Sequence, residues 1–497
     1  MNSSAVKADT RANSSSMGGA INSCEVHKTD ICVIGGGSGG LSVAAGAIQM
    51  GARVILIERG EMGGECLNTG CIPSKAMVAA ANVAATIRTA DAFGINRVTP
   101  QIDWRALHQH IHGVIATIAP NDSAERFEKL GVQVIKAAAR FIDRHTLLAG
   151  SHRVEAKYFV IATGSSPSIP PITGLDKLPY LTNENIFANR KPIEHLLVIG
   201  GGPIGMEMAQ AHHRLGAKVT LFEAKRLLVR DDQECAKIVI NHLRDEGVAL
   251  HEGVSDIRVE RGNGDTITVR YQGEQGELSV TGSHLLIATG RRANVHGLNL
   301  EAAGVEFSPR GVTVDSRLRS SNRRIFAIGD VVGPYQFTHM AAYQAGVVIR
   351  NMLFKLPARV DYYATPWVTY TDPELAHVGM SEESAERAQK RFRVLRWQMS
   401  ENDRARAERR SEGMIKVIVS TRGRVLGATI VALHAGELLQ PWVLAVSQKM
   451  KIGAMATVIA PYPTLSEANR RVAGSFYSDK LFSTTTRRIV RWLMRFS

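Results

Sequence analysis

Two cysteines five residues apart stand in Gly63-Gly64-Glu65-Cys66-Leu67-Asn68-Thr69-Gly70-Cys71-Ile72-Pro73-Ser74-Lys75. Three chemistries are open to such a pair: a redox disulfide, two independent thiols, or half of a metal site. Zinc wants four ligands, and no second Cys/His cluster lies nearby in the sequence. In an undistorted helix these positions lie about 8.6 Å apart, whereas a disulfide needs Cα atoms within roughly 7 Å. Bridging therefore requires a distorted segment. Pro73 is the expected cause, because it cannot donate to the Thr69 carbonyl and crowds it. A strained, accessible bridge is labile, which suits catalysis.

The elements around the pair carry a repeated pattern. Ile31-Cys32-Val33-Ile34 reads as a buried strand, followed by Gly35-Gly36-Gly37-Ser38-Gly39-Gly40, an Ala-rich helix from Leu41 to Met50, and a second strand, 53–57, ending at Glu58. The pattern recurs as strand 196–199, Gly200-Gly201-Gly202-Pro203-Ile204-Gly205, a helix, and strand 219–222 ending at Glu223, with the same number of residues from first glycine to acid. The first glycine permits a tight turn, the second lets a pyrophosphate approach, and the third lets helix and strand pack closely. The helix N-terminus faces the phosphates, and the terminal carboxylate can bind a ribose diol. A lone glycine motif is weak; two matched copies imply two dinucleotides. A cysteine pair beside the first copy suggests that one of them is FAD. Two apolar strands ending in Ala162-Thr163-Gly164 and Ala288-Thr289-Gly290 would each close one unit.

At 497 residues, 44% hydrophobic and 21% charged, the chain is expected to form three or four globular domains. Its net charge of +14 comes with no nucleic-acid motif, so steering of anionic cofactors or solubility is the expected use. Five cysteines are not a secreted disulfide framework, and a single close pair suits a reducing cytoplasm. No apolar run of eighteen residues is present, so no membrane-spanning helix is expected. Residues 1–28, rich in Ser, Ala and Asn, are expected to be disordered.

Taken together, these motifs resemble the pyridine nucleotide–disulfide oxidoreductases, which include mercuric reductase, dihydrolipoamide dehydrogenase and glutathione reductase. The resemblance runs from about Thr29 to Tyr477 and includes Ile325-Phe326-Ala327-Ile328-Gly329-Asp330 and Tyr370-Thr371-Asp372-Pro373-Glu374. It implies an α/β chain with two Rossmann-like dinucleotide-binding domains, for FAD and NAD, plus a C-terminal α+β dimerisation domain. The expected boundaries are FAD domain 29–190 and 295–358, NAD domain 191–294, dimerisation domain 359–478 and a tail 479–497. The resemblance further implies that Gly35, Gly37, Gly40 and Glu58 hold the FAD adenosine diphosphate and that Asp330 binds the ribityl chain. Thr163, Gly164, Thr338 and His339 would lie beside FAD, and Gly200, Gly202, Gly205, Glu207, Glu223 and Gly290 beside NAD. Cys71 would be the thiolate against the flavin, Cys66 the outer exchanging thiol, and Lys75 and Glu207 a pair beside the flavin N5. No resident metal is expected. The active unit would be a homodimer with a shared site.

Glu223 favours NADH over NADPH, since a carboxylate repels a 2′-phosphate; Lys225, Arg226 and Arg230 nearby read as a solvated basic loop. One departure from the family pattern bears on the acceptor. In Ala460-Pro461-Tyr462-Pro463-Thr464-Leu465-Ser466-Glu467, Tyr462 stands where dihydrolipoamide dehydrogenase and glutathione reductase carry the histidine that serves the outer thiol, while Glu467 is retained. A phenol titrates near 10 and imidazole near neutrality, so ordinary disulfide exchange should lose the roughly 10²–10⁴-fold that acid–base catalysis supplies. Tyrosine here resembles mercuric reductase, yet the C-terminal cysteine pair of that enzyme is missing, since the last cysteine is Cys235. His434 is a candidate replacement base, with an interface histidine the plainer reading. The expected activity is NADH-driven, FAD-dependent reduction of a metal ion or small disulfide. Dihydrolipoyl dehydrogenase and a non-enzymatic flavin redox sensor are the alternatives. In the tail, Ile489, Trp492, Leu493 and Phe496 fall on one helical face and Arg488, Arg491 and Arg495 on another. Such a helix suits an anionic membrane surface or its own dimer.

Overall fold

The computed structural model describes residues 25–274 and 276–496. Strand β1 (Glu25–Ile34) runs through a parallel sheet between β2 (Val54–Glu58) and the strand His152–Ile161. Gln133–Lys136 extends the sheet beyond β2, and Ile325–Ala327 returns late in the chain to pair with His152–Ile161. Ile31, Cys32 and Val33 are fully buried, as a strand covered on both faces requires. β1 begins at Glu25 and so takes in residues 25–28, which the sequence reading assigns to a disordered arm. Their backbone is fixed by nine-residue pairing with the 152–161 strand, and the Thr29 hydroxyl donates to the Arg53 carbonyl at 2.8 Å. Residues 1–24 lie outside the described residues.

A second parallel sheet, in the order Ala249–Glu252, Lys218–Glu223, His195–Ile199 and His284–Ile287, repeats the design. The two glycine loops match closely. Gly35 and Gly200 have φ of 111° and 114°, and a Cβ on either would sit 2.4 Å from the carbonyl oxygen of Ala162 or Ala288. A Cβ on Gly40 or Gly205 would lie 1.9 Å from the carbonyl oxygen of Gly35 or Gly200, so only glycine lets helix and turn meet. A third unit follows: the antiparallel sheet of Pro366–Thr369, Glu374–Gly379, Val425–Ala432, Met414–Ser420 and Phe392–Gln398, backed by the fully buried Trp442.

The Ala-Thr-Gly turns do more than end strands. Ser165–Pro167 and Arg291–Ala293, just beyond them, form an antiparallel ribbon that carries both chain crossings between the first and second units. Thr163 donates to the Asn294 carbonyl at 2.8 Å, and Thr289 donates to the Ser168 carbonyl at 2.8 Å, so each turn is tied to the opposite crossing.

The cysteines lie on two helices, α2 (Gly64–Asn68) and α3 (Cys71–Arg88), with α1 (Ser38–Gln49) following the first glycine loop. The expectation that Pro73 distorts one continuous helix is corrected here. The break falls at Thr69–Gly70, where a Cβ on Gly70 would meet the Glu65 carbonyl oxygen at 3.0 Å. Pro73 sits in the first turn of α3, where its missing N–H leaves no bond unmade. By composition alone the stretch Gly64–Arg88 has the length and apolarity of a spanning helix, which the sequence reading did not expect. It is interrupted at Gly70, and its Ala76, Met77 and Ala81 share one apolar cluster with Trp104, Leu107, Met206 and Ala209.

Candidate active site

The cysteine helices are seated on the first glycine loop. The Gly63 N–H donates to the Gly36 carbonyl at 2.9 Å, and a Cβ on Gly64 would lie 2.7 Å from the Gly37 Cα. The cysteine pair is thereby placed at the C-terminal end of the parallel sheet, where open α/β sheets bind ligands. Cys71 is the first residue of α3, so the helix N-terminus faces its sulfur.

Cys66 and Cys71 are free thiols, and each perturbs the ionisation of the other. Thr338, the first residue of the helix Thr338–Met352, has its Oγ1 3.5 Å from the Cys71 Sγ. Cys66, opposed by burial and aided by Thr338 and the Lys75 charge, lowers the Cys71 thiol well below the ordinary thiol range. Cys71, together with burial, pushes the Cys66 thiol well up. Cys71 is therefore the thiolate of the pair, the reactive form of sulfur.

Lys75, one turn further along α3, meets Glu207 of the helix Pro203–Arg214 at 2.6 Å, so the pair joins the first unit to the second. The Glu207 carboxylate also accepts from the Tyr370 N–H at 2.9 Å, and the Lys75 ammonium lies 4.3 Å from the centroid of the Tyr370 ring. His339 donates from Nε2 to the Pro366 carbonyl at 2.9 Å and stacks on Phe337; burial pulls its imidazole below the ordinary range.

The dinucleotide residues fall into matched arrangements. Glu58 accepts from the N–H of Gly36 at 2.5 Å and of Gly60 at 2.6 Å; Glu223 accepts from the N–H of Gly201 at 2.7 Å and of Lys225 at 2.8 Å. A carboxylate held this way keeps lone pairs for a ribose diol. The helices after both loops start at Gly37 and Gly202 without a side-chain cap, and a Cβ on Gly202 would meet nothing within 4 Å. Free N–H groups at a helix start are what a pyrophosphate needs, so the residues present fit FAD in the first unit and NAD(P) in the second. Thr163 and Gly164 line the ribbon end of the first unit and Gly290 that of the second.

Several residues of the site carry no motif of their own. Asp330 accepts from the Ser165 hydroxyl at 2.6 Å, Ser165 also accepts from the Arg291 Nε at 2.7 Å, and the Arg291 guanidinium pairs with Glu65. Asn183 donates to Glu65 at 2.7 Å. This chain of bonds links Asp330 to Glu65, the residue beside Cys66. The only sequence signal for Arg291 was its place directly after an Ala-Thr-Gly turn.

Tyr462 and Glu467 line one surface pocket, but each hydrogen-bonds elsewhere. The Tyr462 hydroxyl donates to Asp403 at 2.9 Å, while Glu467 accepts from Arg471 at 2.9 Å. Among the described residues of one chain, no hydrogen bond joins either of them to Cys66 or Cys71. His434 is exposed, in a left-handed conformation just before the short helix Ala435–Leu438.

Comparison with known proteins decides the family. The profile described as pyridine nucleotide-disulphide oxidoreductase matches residues 29–345, and that of its dimerisation domain matches 365–473. The chain is a pyridine nucleotide–disulfide oxidoreductase. Like other pyridine nucleotide–disulfide oxidoreductases it is an FAD-dependent enzyme that uses NAD(P)H, and its dimerisation domain supports a homodimer. It is 35% identical to a mercuric reductase of Streptomyces lividans, over 90% of this chain and 96% of that protein. It is 31% identical to a dihydrolipoyl dehydrogenase of Bacillus subtilis, over 88% and 96%. Among solved structures it resembles a Cu(II) complex of the HOCl-induced flavoprotein disulfide reductase RclA of Escherichia coli, with TM-score 0.80 and 26% identity over 90% of this chain and 99% of that one. LpdA of Mycobacterium tuberculosis is similar, with TM-score 0.83 and 26% identity over the same shares.

Proposed function

We propose that this oxidoreductase takes electrons from NADH and delivers them, through Cys66 and Cys71, to a thiophilic acceptor: a soft metal ion held by both sulfurs, or a small electrophilic disulfide. The observation that carries this reading is Tyr462. Its phenol, raised by donation to Asp403, is no base at neutral pH. A soft metal ion binds thiolates directly and needs no imidazole to manage a proton on the outer sulfur. Relatives named mercuric reductase and a neighbour solved as a Cu(II) complex support the same class.

Bound FAD would supply the two-electron step between nicotinamide and disulfide. Gly35, Gly37, Gly40 and Glu58 would hold its adenosine diphosphate, Asp330 the ribityl chain, and Thr338 and His339 the ring edge. Lys75 and Glu207 would orient the face where hydride arrives. Gly200, Gly202, Gly205 and Glu223 would hold NADH, with Glu223 disfavouring a 2′-phosphate. One NADH and one proton convert the Cys66–Cys71 disulfide to two thiols. These return two electrons to one disulfide acceptor, or to one Hg(II) ion or two Cu(II) ions with release of two protons, and the protein disulfide re-forms. Tyr462 and Glu467 of one subunit would complete the site of the other.

Dihydrolipoyl dehydrogenase is the rival reading, and steady-state oxidation of NADH and NADPH with Cu(II), Hg(II) and lipoamide separates the two. Turnover with metal ions should exceed that with lipoamide, efficiency should be higher with NADH, and Tyr462→His should raise lipoamide turnover by at least about 10-fold. Lipoamide turnover by the unmodified enzyme equal to that with metal ions would overturn the proposal.

The tail supports a further reading of partners. The helix Thr484–Leu493 exposes Ile489, Trp492 and Leu493, with Phe496 just beyond, while Arg487, Arg488 and Arg491 occupy the opposite arc. We infer contact with an anionic membrane surface.

A further inference from the structure

The first sheet carries a second cluster of ligating side chains at the end away from the cysteines. Parallel pairing sets Glu25 opposite His152, and the two-residue period of a strand puts His27 on the same face as Glu25. His27 Nε2 lies 3.0 Å from His152 Nδ1 and 3.6 Å from one carboxylate oxygen of Glu25. His152 Nδ1 lies 3.5 Å from the other oxygen. Ligand atoms about 2.0–2.1 Å from a tetrahedral ion stand about 3.3 Å apart, so these separations leave room for one ion at the centre.

Two further observations fit. The remaining ring nitrogen of His27, Nδ1, is 3.2 Å from the Gln133 side-chain amide nitrogen, Nε2. With the amide turned to present its oxygen, Gln133 accepts the Nδ1 proton and leaves the Nε2 lone pair for a ligand, the outer contact that metal-binding histidines make. Exposure is also graded: 12% for the His27 side chain, 32% for His152 and 68% for Glu25. Both imidazoles are thus recessed, with the carboxylate at the rim and a water able to complete the shell. Seven residues separate His27 from the end of β1 at Ile34, roughly 20 Å along a strand, so the cluster is distinct from the cysteine pair.

We propose that Glu25, His27 and His152 bind a divalent transition ion of the zinc type, with two nitrogens and one oxygen from the protein, and that the ion staples the start of β1 to the 152–161 strand. The sequence reading expected no metal ligands, because His27 and His152 are far apart along the chain and meet only through strand pairing.

The test is calorimetric titration of zinc chloride into the oxidised holoenzyme, whose closed disulfide keeps Cys66 and Cys71 from offering thiolates. The unmodified protein should bind one ion per chain, and zinc should raise its unfolding temperature. His27→Ala and His152→Ala should each lose both effects, and Gln133→Ala should weaken binding roughly 10-fold or more. The flavin absorbance of each variant reports that its fold is retained, and Glu25→Gln serves if a histidine variant fails to fold. No binding by the unmodified protein, or unchanged stoichiometry and affinity in the ligand variants, would overturn the proposal.

Discussion

A thiol at the first position of a helix ionises more readily than one in its interior, and Cys71 adds to that the neighbouring Cys66, the Thr338 hydroxyl and the Lys75 charge. Its thiol is held well below the ordinary thiol range, so it gives up its proton at a lower pH than a free cysteine. In the two-electron-reduced holoenzyme the long-wavelength absorbance of a thiolate beside flavin should be full at neutral pH and fade as the pH falls through the midpoint of that thiol. Lys75→Met should move that midpoint upward, and spectrophotometric pH titration checks both; a band unchanged down to pH 4 would contradict the assignment. At this scale the sequence was informative where the chemistry is local: Cys66, Cys71 and the glycines declare themselves by spacing, whereas Lys75 is reached only through the family resemblance. It was misleading at Pro73, because a proline disrupts a helix interior but is accommodated in a first turn, and the spacing does not show where the helix begins. It was silent on Glu65 with Arg291 and on Tyr462 with Asp403, since a side chain's partner is chosen by the tertiary fold.

Between elements, the second unit is fastened to the third by buried charge. Arg214, 4% exposed at its side chain, meets Asp372 at 2.8 Å and also pairs with Glu246, while Lys416 meets Asp232, Glu234 and Glu382 at 2.8, 2.8 and 2.6 Å. Asp372→Ala would leave a buried guanidinium half compensated, and a loss of about 3 kcal/mol in chemical denaturation is expected. The same cluster sets a pH window. Burial raises the Glu246 carboxyl, but His242 and Arg214 outweigh it and bring it to about 2, below its ordinary 4.5. Its contribution to stability is therefore full above about pH 4.5 and lost as pH falls toward 2. Burial lowers His242, but Glu246 and Glu412 outweigh it and bring it to about 9, so its contribution is full below about 6.5 and lost as pH rises through 9. Thermal unfolding across pH should show both declines, and His242→Leu should remove the alkaline one. The strand–loop–helix pattern of both dinucleotide units was legible because buried parallel strands read as apolar runs. These clamps were not, since nothing in Arg214 announces a partner at Asp372.

For the whole molecule, charge and the tail act together. On the membrane contact proposed above, the net charge of +14 would draw the protein to an anionic surface, and the Thr484–Leu493 helix would supply the apolar side chains that insert. Truncation after Thr485 should abolish sedimentation with vesicles containing phosphatidylserine while leaving the dimer and NADH oxidation intact. Unchanged vesicle binding would overturn the membrane reading, and a truncated protein that turns monomeric would assign the helix to the dimer. The amphipathic pattern was readable from the tail alone; what covers its apolar face depends on surfaces the chain does not encode locally.

The paired crossings between the first two units have a consequence for motion. Two strands side by side, Ser165–Pro167 and Arg291–Ala293, are the geometry of a hinge. Yet the apolar cluster shared by α3 and the Pro203–Arg214 helix, with the Lys75–Glu207 pair beside it, bolts the two leaves of that hinge together. The nicotinamide would thus enter a cleft whose walls are already set, and no lid need close before hydride moves. Opening that hinge would have to break both the apolar cluster and the Lys75–Glu207 pair.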